Sequence, residues 1–122
     1  MNFIPVNEPL LNGNEKKYLN ECIDTGWISS EGPFIKRFEK GMANYVGRKY
    51  GVACANGSAA LDIAVRALDL QKGDEVIAPS FTIISSIQSL VTNGLKPILL
   101  DCDFSTFNIN PNETETKITP KT

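Results

Sequence analysis

The spacing of apolar residues predicts two amphipathic helices in the first part of the chain. Asn12, followed three residues later by Glu15, resembles a capping box, and Gly26 is a typical helix stop. The apolar face between them is formed by Tyr18, Leu19, Cys22 and Ile23. Pro33 suits the first position of a second helix, whose apolar stripe continues to Gly47. We expect each helix to bury one face.

Strand and helix patterns then alternate. Short apolar runs and helical spacing predict strands at about 50–55, 76–79 and 96–101, with helices at about 58–70 and 83–92. This order favours right-handed crossovers and a parallel sheet, so the predicted class is α/β. The polar stretch FNINPNETETKITPKT that follows predicts neither a strand nor a helix.

Composition and charge narrow the function classes. The chain has 122 residues, 42% of them hydrophobic, and a formal net charge of −2, so we expect one soluble domain with a modest core. Its scattered basic residues predict neither a nucleic-acid nor a membrane partner. The N-terminal stretch does not resemble a leader peptide and no apolar run reaches the length of a membrane span, which predicts a cytoplasmic location.

The cysteines and the lack of histidine exclude several kinds of chemistry. Cys22, Cys54 and Cys102 are widely spaced, form no CxxC motif and have no histidine to complete a zinc site. We therefore predict reduced, mostly buried thiols and no metal centre. A chain without histidine also has no Ser-His or Cys-His catalytic pair.

The segment ANGSAAL, 55–61, places small residues between a predicted strand and a predicted helix. The unpaired N–H groups and the positive dipole of a helix N-terminus suit a phosphate. The segment lacks the GxGxxG and GxxxxGK[ST] fingerprints, so close helix-to-sheet packing is an equally good interpretation of the small residues. Ser58 is either an N-cap or a hydroxyl donor to phosphate, and the two roles are compatible.

Two other features have a structural and a functional interpretation. One interpretation of Asp101 and Asp103 is a metal pair or an acid/base couple. Because the two carboxylates lie at the end of a predicted strand, we expect turn and capping roles instead. Trp27, the only tryptophan, lies between the first two helices. It either fills a core or lies on a contact surface.

Four ordered blocks resemble the DegT/DnrJ/StrS family of sugar aminotransferases over about 4–111. They are PVNEPLLNGNEKKYLNECIDTGWISSEGPFIKRFEK, ANGSAAL, GDEVIAPSFTIISS and PILLDCDFSTFNINP. The resemblance implies the N-terminal portion of the large domain of a fold-type I aminotransferase dependent on pyridoxal 5′-phosphate (PLP). That portion, an incomplete sheet flanked by helices, would span 1–107, followed by a polar tail at 108–122.

The resemblance also implies an activity and a set of binding residues. A family member passes an amino group, with glutamate as the expected donor, to a nucleotide-linked 4-keto-6-deoxy sugar, and works as a homodimer. Gly57 and Ser58 match the family's donors to the PLP phosphate, and Ile83 stands where the family has a ring-stacking aromatic residue. Trp27 and Ser29 match a segment that shapes the sugar-nucleotide side of the pocket.

The resemblance further implies that the family's Schiff-base lysine and its cofactor aspartate fall after the last residue of this sequence. We therefore predict no catalytic residue in the 122-residue chain and no activity of the chain alone. It is then either the N-terminal fragment of an enzyme or a non-catalytic truncated or split-gene remnant. A stand-alone nucleotide-binding module is a third interpretation, disfavoured by the missing dinucleotide fingerprint.

Overall fold

The chain divides into two compact units, which we call the N-terminal unit (Met1–Ala53) and the C-terminal unit (Cys54–Thr122). A computed structural model describes residues 3–122. The first two residues of the stretch compared above with a leader peptide lie outside the described residues. The predicted division into 1–107 and 108–122 refers to the family's larger domain and stays a prediction.

The N-terminal unit contains the two predicted helices, α1 (Glu15–Thr25) and α2 (Pro33–Tyr45). Gly26 ends α1 in the left-handed conformation, with a φ of 74°, and Pro33 opens α2, as predicted. The predicted capping box is wrong, because α1 begins after Asn14 and not after Asn12. The Glu15 carboxylate instead accepts a hydrogen bond from the Gly13 N–H at 2.9 Å, inside a tight turn.

The two helices of the N-terminal unit bury little of their apolar faces. Among the described residues of this unit only Ala43 is a buried hydrophobic side chain, and Leu19 and Ile23 of α1 are 65% and 69% exposed. The rings of Tyr18 and Phe34 are 5.3 Å apart, and the Arg37 guanidinium lies over both. We expected each helix to bury one face, but the structure shows an aromatic contact between Tyr18 and Phe34 and leaves much of the apolar faces exposed.

The predicted strand at 50–55 is wrong, because this segment has no regular secondary structure. The Ala53 N–H donates to the Glu39 carboxylate at 2.9 Å. Gly51 lies so close to α2 that a Cβ there would be 2.5 Å from the Glu39 carbonyl oxygen. Since a strand needs a neighbouring strand for its backbone hydrogen bonds, a segment held by α2 stays irregular.

The C-terminal unit is built on a parallel strand pair with its connecting helix. Strands β1 (Glu75–Pro79) and β2 (Lys96–Leu100) pair in parallel, with Glu75 opposite Lys96. Helix α4 (Ile84–Thr92) connects them and α3 (Gly57–Ala67) precedes them. The α/β class and the parallel pairing are confirmed, with two strands among the described residues and not three. A small core forms around Ala78, Leu90 and Leu95.

The polar stretch after β2 is more ordered than its sequence predicted. A short helix, α5 (Pro111–Thr116), follows Asn110, whose side chain accepts from the Asn112 N–H at 3.0 Å. The expectation of no further helix is therefore wrong, and the local signal was an N-cap asparagine followed by proline. The Lys121 carbonyl accepts from the Glu75 N–H at 2.8 Å, which bonds the last residues to β1.

The accessible surface is large for the mass of the chain. It measures 10366 Å² for 13.4 kDa. A compact monomer of this mass exposes about 6,500 Å², and two separate globules of half the mass expose about 7,800 Å² together. Much apolar surface that a self-contained domain would bury is therefore accessible.

Candidate functional site

Helix α3 begins at the small-residue segment that the sequence singled out. Asn56 is extended, with a φ of −164°, and its side-chain oxygen accepts from the Ala59 N–H at 2.9 Å. Its carbonyl oxygen accepts from the Ala60 N–H at 3.1 Å. Asn56 is therefore the N-cap of α3. The interpretation of Ser58 as the N-cap is wrong, because Ser58 is the second residue of the helix.

Two N–H groups remain available at this helix end. The N–H groups of Gly57 and Ser58 donate no hydrogen bond within residues 3–122. A Cβ built on Gly57 would meet no atom within 4 Å, so the approach to its backbone is open. Two free N–H donors at the positive end of a helix suit the oxygens of an anion such as a phosphate.

The start of α4 lies beside the start of α3. The Ser58 hydroxyl donates to the Ser85 hydroxyl oxygen at 2.9 Å, across 27 residues of sequence. Ser85 is the second residue of α4, and Ile83 is its extended N-cap residue, with a side chain that is 69% exposed. The structure thus brings Gly57, Ser58 and Ile83 into one region. Sequence reasoning missed Ser85, because a hydroxyl pair so far apart in sequence leaves no local pattern.

A groove of about 380 Å³ runs from this hydroxyl pair along the two helices. It is lined by Ser58, Ala59, Asp62, Arg66, Ser85, Gln88, Ser89 and Thr92. Farther along α3, the Asp62 carboxylate accepts from the Asn93 amide at 2.7 Å and from Arg66 Nε at 3.0 Å. These bonds, that from Asn93 foremost, lower the pKa of Asp62 from its ordinary value, so the carboxylate stays ionised. Asp62 therefore ties α3 to the residue that follows α4.

Trp27 and Ser29, the predicted substrate contacts, lie in the N-terminal unit. Trp27 is 50% exposed, so of its two interpretations the one in which it fills a core is wrong. It lines an apolar pocket of about 300 Å³ between α1 and α2, together with Leu19, Ile23 and Phe34. The Ser29 hydroxyl oxygen accepts from the Glu31 N–H at 3.4 Å and also lines this pocket.

Asp101 and Asp103 have the predicted turn roles. Asp101 accepts from the N–H of the next residue at 2.8 Å. Asp103 accepts from the hydroxyl of Ser105 and from the N–H groups of Ser105 and Thr106, each N–H at 3.0 Å. These bonds, that from the Ser105 hydroxyl foremost, lower the pKa of Asp103. Residues 3–122 contain no group of His, Cys, Asp or Glu side chains that would hold a metal ion.

The state of the cysteines and the length of the helices bear on two further predictions. Cys22, Cys54 and Cys102 form no disulfide bond with one another, and all three are half-buried, which is less than predicted. No helix in the described part of the chain is both long and apolar enough to cross a bilayer.

Comparisons with known proteins agree with the resemblance. The chain is 49% identical over 119 residues to GDP-perosamine synthase of Caulobacter vibrioides, a match that covers 98% of this chain and 32% of that protein. The chain thus spans about a third of the length of this curated relative.

Solved structures share the fold. An aminotransferase from Psychrobacter cryohalolentis superposes with a TM-score of 0.85 at 35% identity, covering 93% of this chain and 29% of that one. The GDP-4-keto-6-deoxy-D-mannose-3-dehydratase of E. coli, with bound hydrated PLP, gives 0.87 at 27% identity, with coverage of 97% and 32%. The fold is that of an N-terminal portion of these PLP-dependent proteins. Residues 9–122 match the DegT/DnrJ/EryC1/StrS aminotransferase family, and this chain therefore belongs to that family.

Proposed function

We propose that the chain is the N-terminal part of a PLP-dependent aminotransferase that acts on a nucleotide-linked 4-keto-6-deoxy sugar, with glutamate as the amino donor. The observation that carries the proposal is the pair of free N–H groups on Gly57 and Ser58 at the start of α3. They occur in a chain 49% identical to a GDP-perosamine synthase, which favours a GDP-linked sugar of perosamine biosynthesis as the substrate.

The residues at the start of α3 fit a cofactor phosphate. Two N–H groups and a hydroxyl form a donor set, and the open side of Gly57 leaves room for phosphate oxygens. When bound, PLP supplies the electron sink and carries the amino group. Gly57 and Ser58 would hold its phosphate, and Ile83 would cover a face of the ring by apolar contact, without aromatic stacking.

Trp27 and Ser29 are proposed to contact the sugar-nucleotide substrate. Half of the Trp27 surface is accessible, so an aromatic face is available to a ligand. The Ser29 hydroxyl lies in the same apolar pocket and adds a polar group to it. A pocket with apolar walls and few polar groups is typical of small-molecule sites.

The fold alone does not separate an aminotransferase from a dehydratase of a similar sugar, because the E. coli 3-dehydratase superposes as well as the Psychrobacter aminotransferase. Sequence identity favours the aminotransferase, since the chain is 49% identical to GDP-perosamine synthase and 27% identical to the dehydratase. The homodimer and the cytoplasmic location stay predictions. The large accessible surface supports a further part of the fold, or a partner subunit, packing against this chain.

A chimera tests the activity. The 119 residues that match the Caulobacter relative would replace the corresponding third of that protein, and amino transfer from glutamate to a GDP-linked 4-keto-6-deoxy sugar would be measured. We expect turnover, and a dissociation constant for PLP raised about 10-fold by Ser58→Ala, because one donor to the phosphate is lost. Ser80→Ala, which removes a hydroxyl that does not line the groove, is the matched control. A folded chimera that binds PLP but transfers no amino group would favour the non-catalytic remnant.

A further inference from the structure

The hydroxyl groups of Ser58 and Ser85 form a hydrogen-bonded pair, which indicates a role for Ser85. This inference rests on the proposed function. We propose that Ser85 is a positioning residue for the cofactor phosphate and acts through Ser58. In the free chain the Ser85 hydroxyl oxygen accepts a hydrogen bond from the Ser58 hydroxyl. When Ser58 donates to a phosphate oxygen, Ser85 turns its own proton toward the Ser58 oxygen and holds that hydroxyl in place.

The reversal of this hydrogen bond follows from the number of protons that the two hydroxyl groups can donate. A serine hydroxyl has one proton to donate and two lone pairs to accept with. The Ser58 proton is directed at Ser85, so Ser58 has none to offer an anion in this arrangement. The Ser85 hydroxyl makes no other hydrogen bond within the described residues, so its proton is free to turn. Reversal keeps one bond within the pair and adds one bond to the phosphate.

The surrounding helices hold the pair at bonding distance. Ser58 and Ser85 are each the second residue of a helix, so both lie at positive helix ends. Near the far end of α4, Asp62 accepts from Asn93 at 2.7 Å and ties the two helices together. In the reversed pair, each hydrogen bond polarises the next one in the chain from Ser85 through Ser58 to the phosphate, which strengthens both.

The test is a titration of the full 122-residue chain followed by amide NMR shifts of Gly57 and Ser58. The probes are inorganic phosphate and pyridoxamine 5′-phosphate, with pyridoxamine as the ligand that lacks a phosphate. We expect Ser85→Ala to weaken binding of both phosphate probes about 3- to 10-fold. Binding of pyridoxamine should not change. Ser86→Ala, which removes the next hydroxyl along α4, is the control and should leave all three affinities unchanged.

A double-mutant cycle separates positioning from direct contact. If Ser85 acts through Ser58, the variant lacking both hydroxyls should bind phosphate no more weakly than Ser58→Ala alone. Additive losses, or a Ser85→Ala chain that binds phosphate like the unmodified one, would overturn the proposal. The near-isosteric pair Ser85→Thr and Ser85→Val guards against a folding defect. Threonine should retain binding and valine lose it, and equal affinity of the two would also overturn the proposal.

The titration distinguishes the two proposals. If the Gly57 and Ser58 amides of the unmodified chain do not respond to phosphate, the phosphate site under the proposed function fails. If they respond and the response does not depend on the Ser85 hydroxyl, only the role of Ser85 fails.

Discussion

The two units of this chain contain helices of similar length and differ in what those helices pack against. In the C-terminal unit α4 packs on a parallel strand pair, and Ala78, Leu90, Leu95 and Leu100 are buried. In the N-terminal unit the described residues include one buried hydrophobic side chain, Ala43. Amphipathic sequence therefore produces helices in both units, but among the described residues a cluster of buried side chains forms only where a sheet supplies a second layer.

The largest expected difference between the units concerns their leucines. Leu90→Ala removes a side chain that is 5% exposed, and we expect it to lower the free energy of unfolding of the C-terminal unit by about 2–5 kcal/mol. Leu19→Ala removes one that is 65% exposed and should cost less than about 1 kcal/mol. Native-state hydrogen exchange measures the free energy of unfolding of each unit separately. Equal losses for the two variants would show that α1 is packed in solution.

A smaller difference is expected at the helix starts. Asn56→Ala removes the side chain that caps α3, and should destabilise that helix by about 1 kcal/mol. Asn14 holds the same position before α1 but makes no capping hydrogen bond with its side chain, so Asn14→Ala should cost a few tenths of that. Amide exchange in the first turns of the two helices provides the measurement. Equal increases in amide exchange in the first turns of the two helices would contradict this prediction.

The smallest expected effect is a change in acid sensitivity. Hydrogen bonds from Lys96 foremost, and then from Thr119, lower the pKa of Glu75 below its ordinary value of 4.5. A lowered pKa stabilises the folded state above the unfolded value, and this contribution is lost as the pH falls through the lower folded value. Glu75→Gln should therefore flatten the dependence of stability on pH at and below about 4.5.

Thermal unfolding of the unmodified chain and of Glu75→Gln between pH 2 and pH 7 measures this slope. Glu115→Gln, in α5, is the control, because its side chain makes no hydrogen bond within residues 3–122. An unchanged slope for Glu75→Gln would show that the bonds to Lys96 and Thr119 do not persist in solution.

The helices could be predicted from the sequence because their signals are local. Apolar spacing together with Gly26 and Pro33 located α1 and α2, and the small-residue break located the start of α3. The segment 50–55 has the composition of a strand, but whether it forms one depends on a pairing partner elsewhere in the chain. Helix α5 was missed because its residues carry no apolar periodicity, although Asn110 and Pro111 mark its start.

The candidate site could be predicted only in part for the same reason. The small residues Gly57 and Ser58 indicate a helix start that is open to an anion, and this could be predicted from the sequence. The hydrogen bonds from Ser58 to Ser85 and from Asn93 to Asp62 span 27 and 31 residues. Such pairs depend on how α3 and α4 pack, so local sequence does not reveal them.

The crowding at Gly51 has a genetic consequence. Every missense change of this codon adds a Cβ that would be 2.5 Å from a backbone oxygen of α2, so the chain would have to shift to accept any of them. The Gly41 codon, ten positions earlier, lies inside α2, where an added Cβ meets no atom within 4 Å. There alanine should even favour the helix by about 0.8–1 kcal/mol. The same base change is thus expected to be damaging at one codon and harmless at the other.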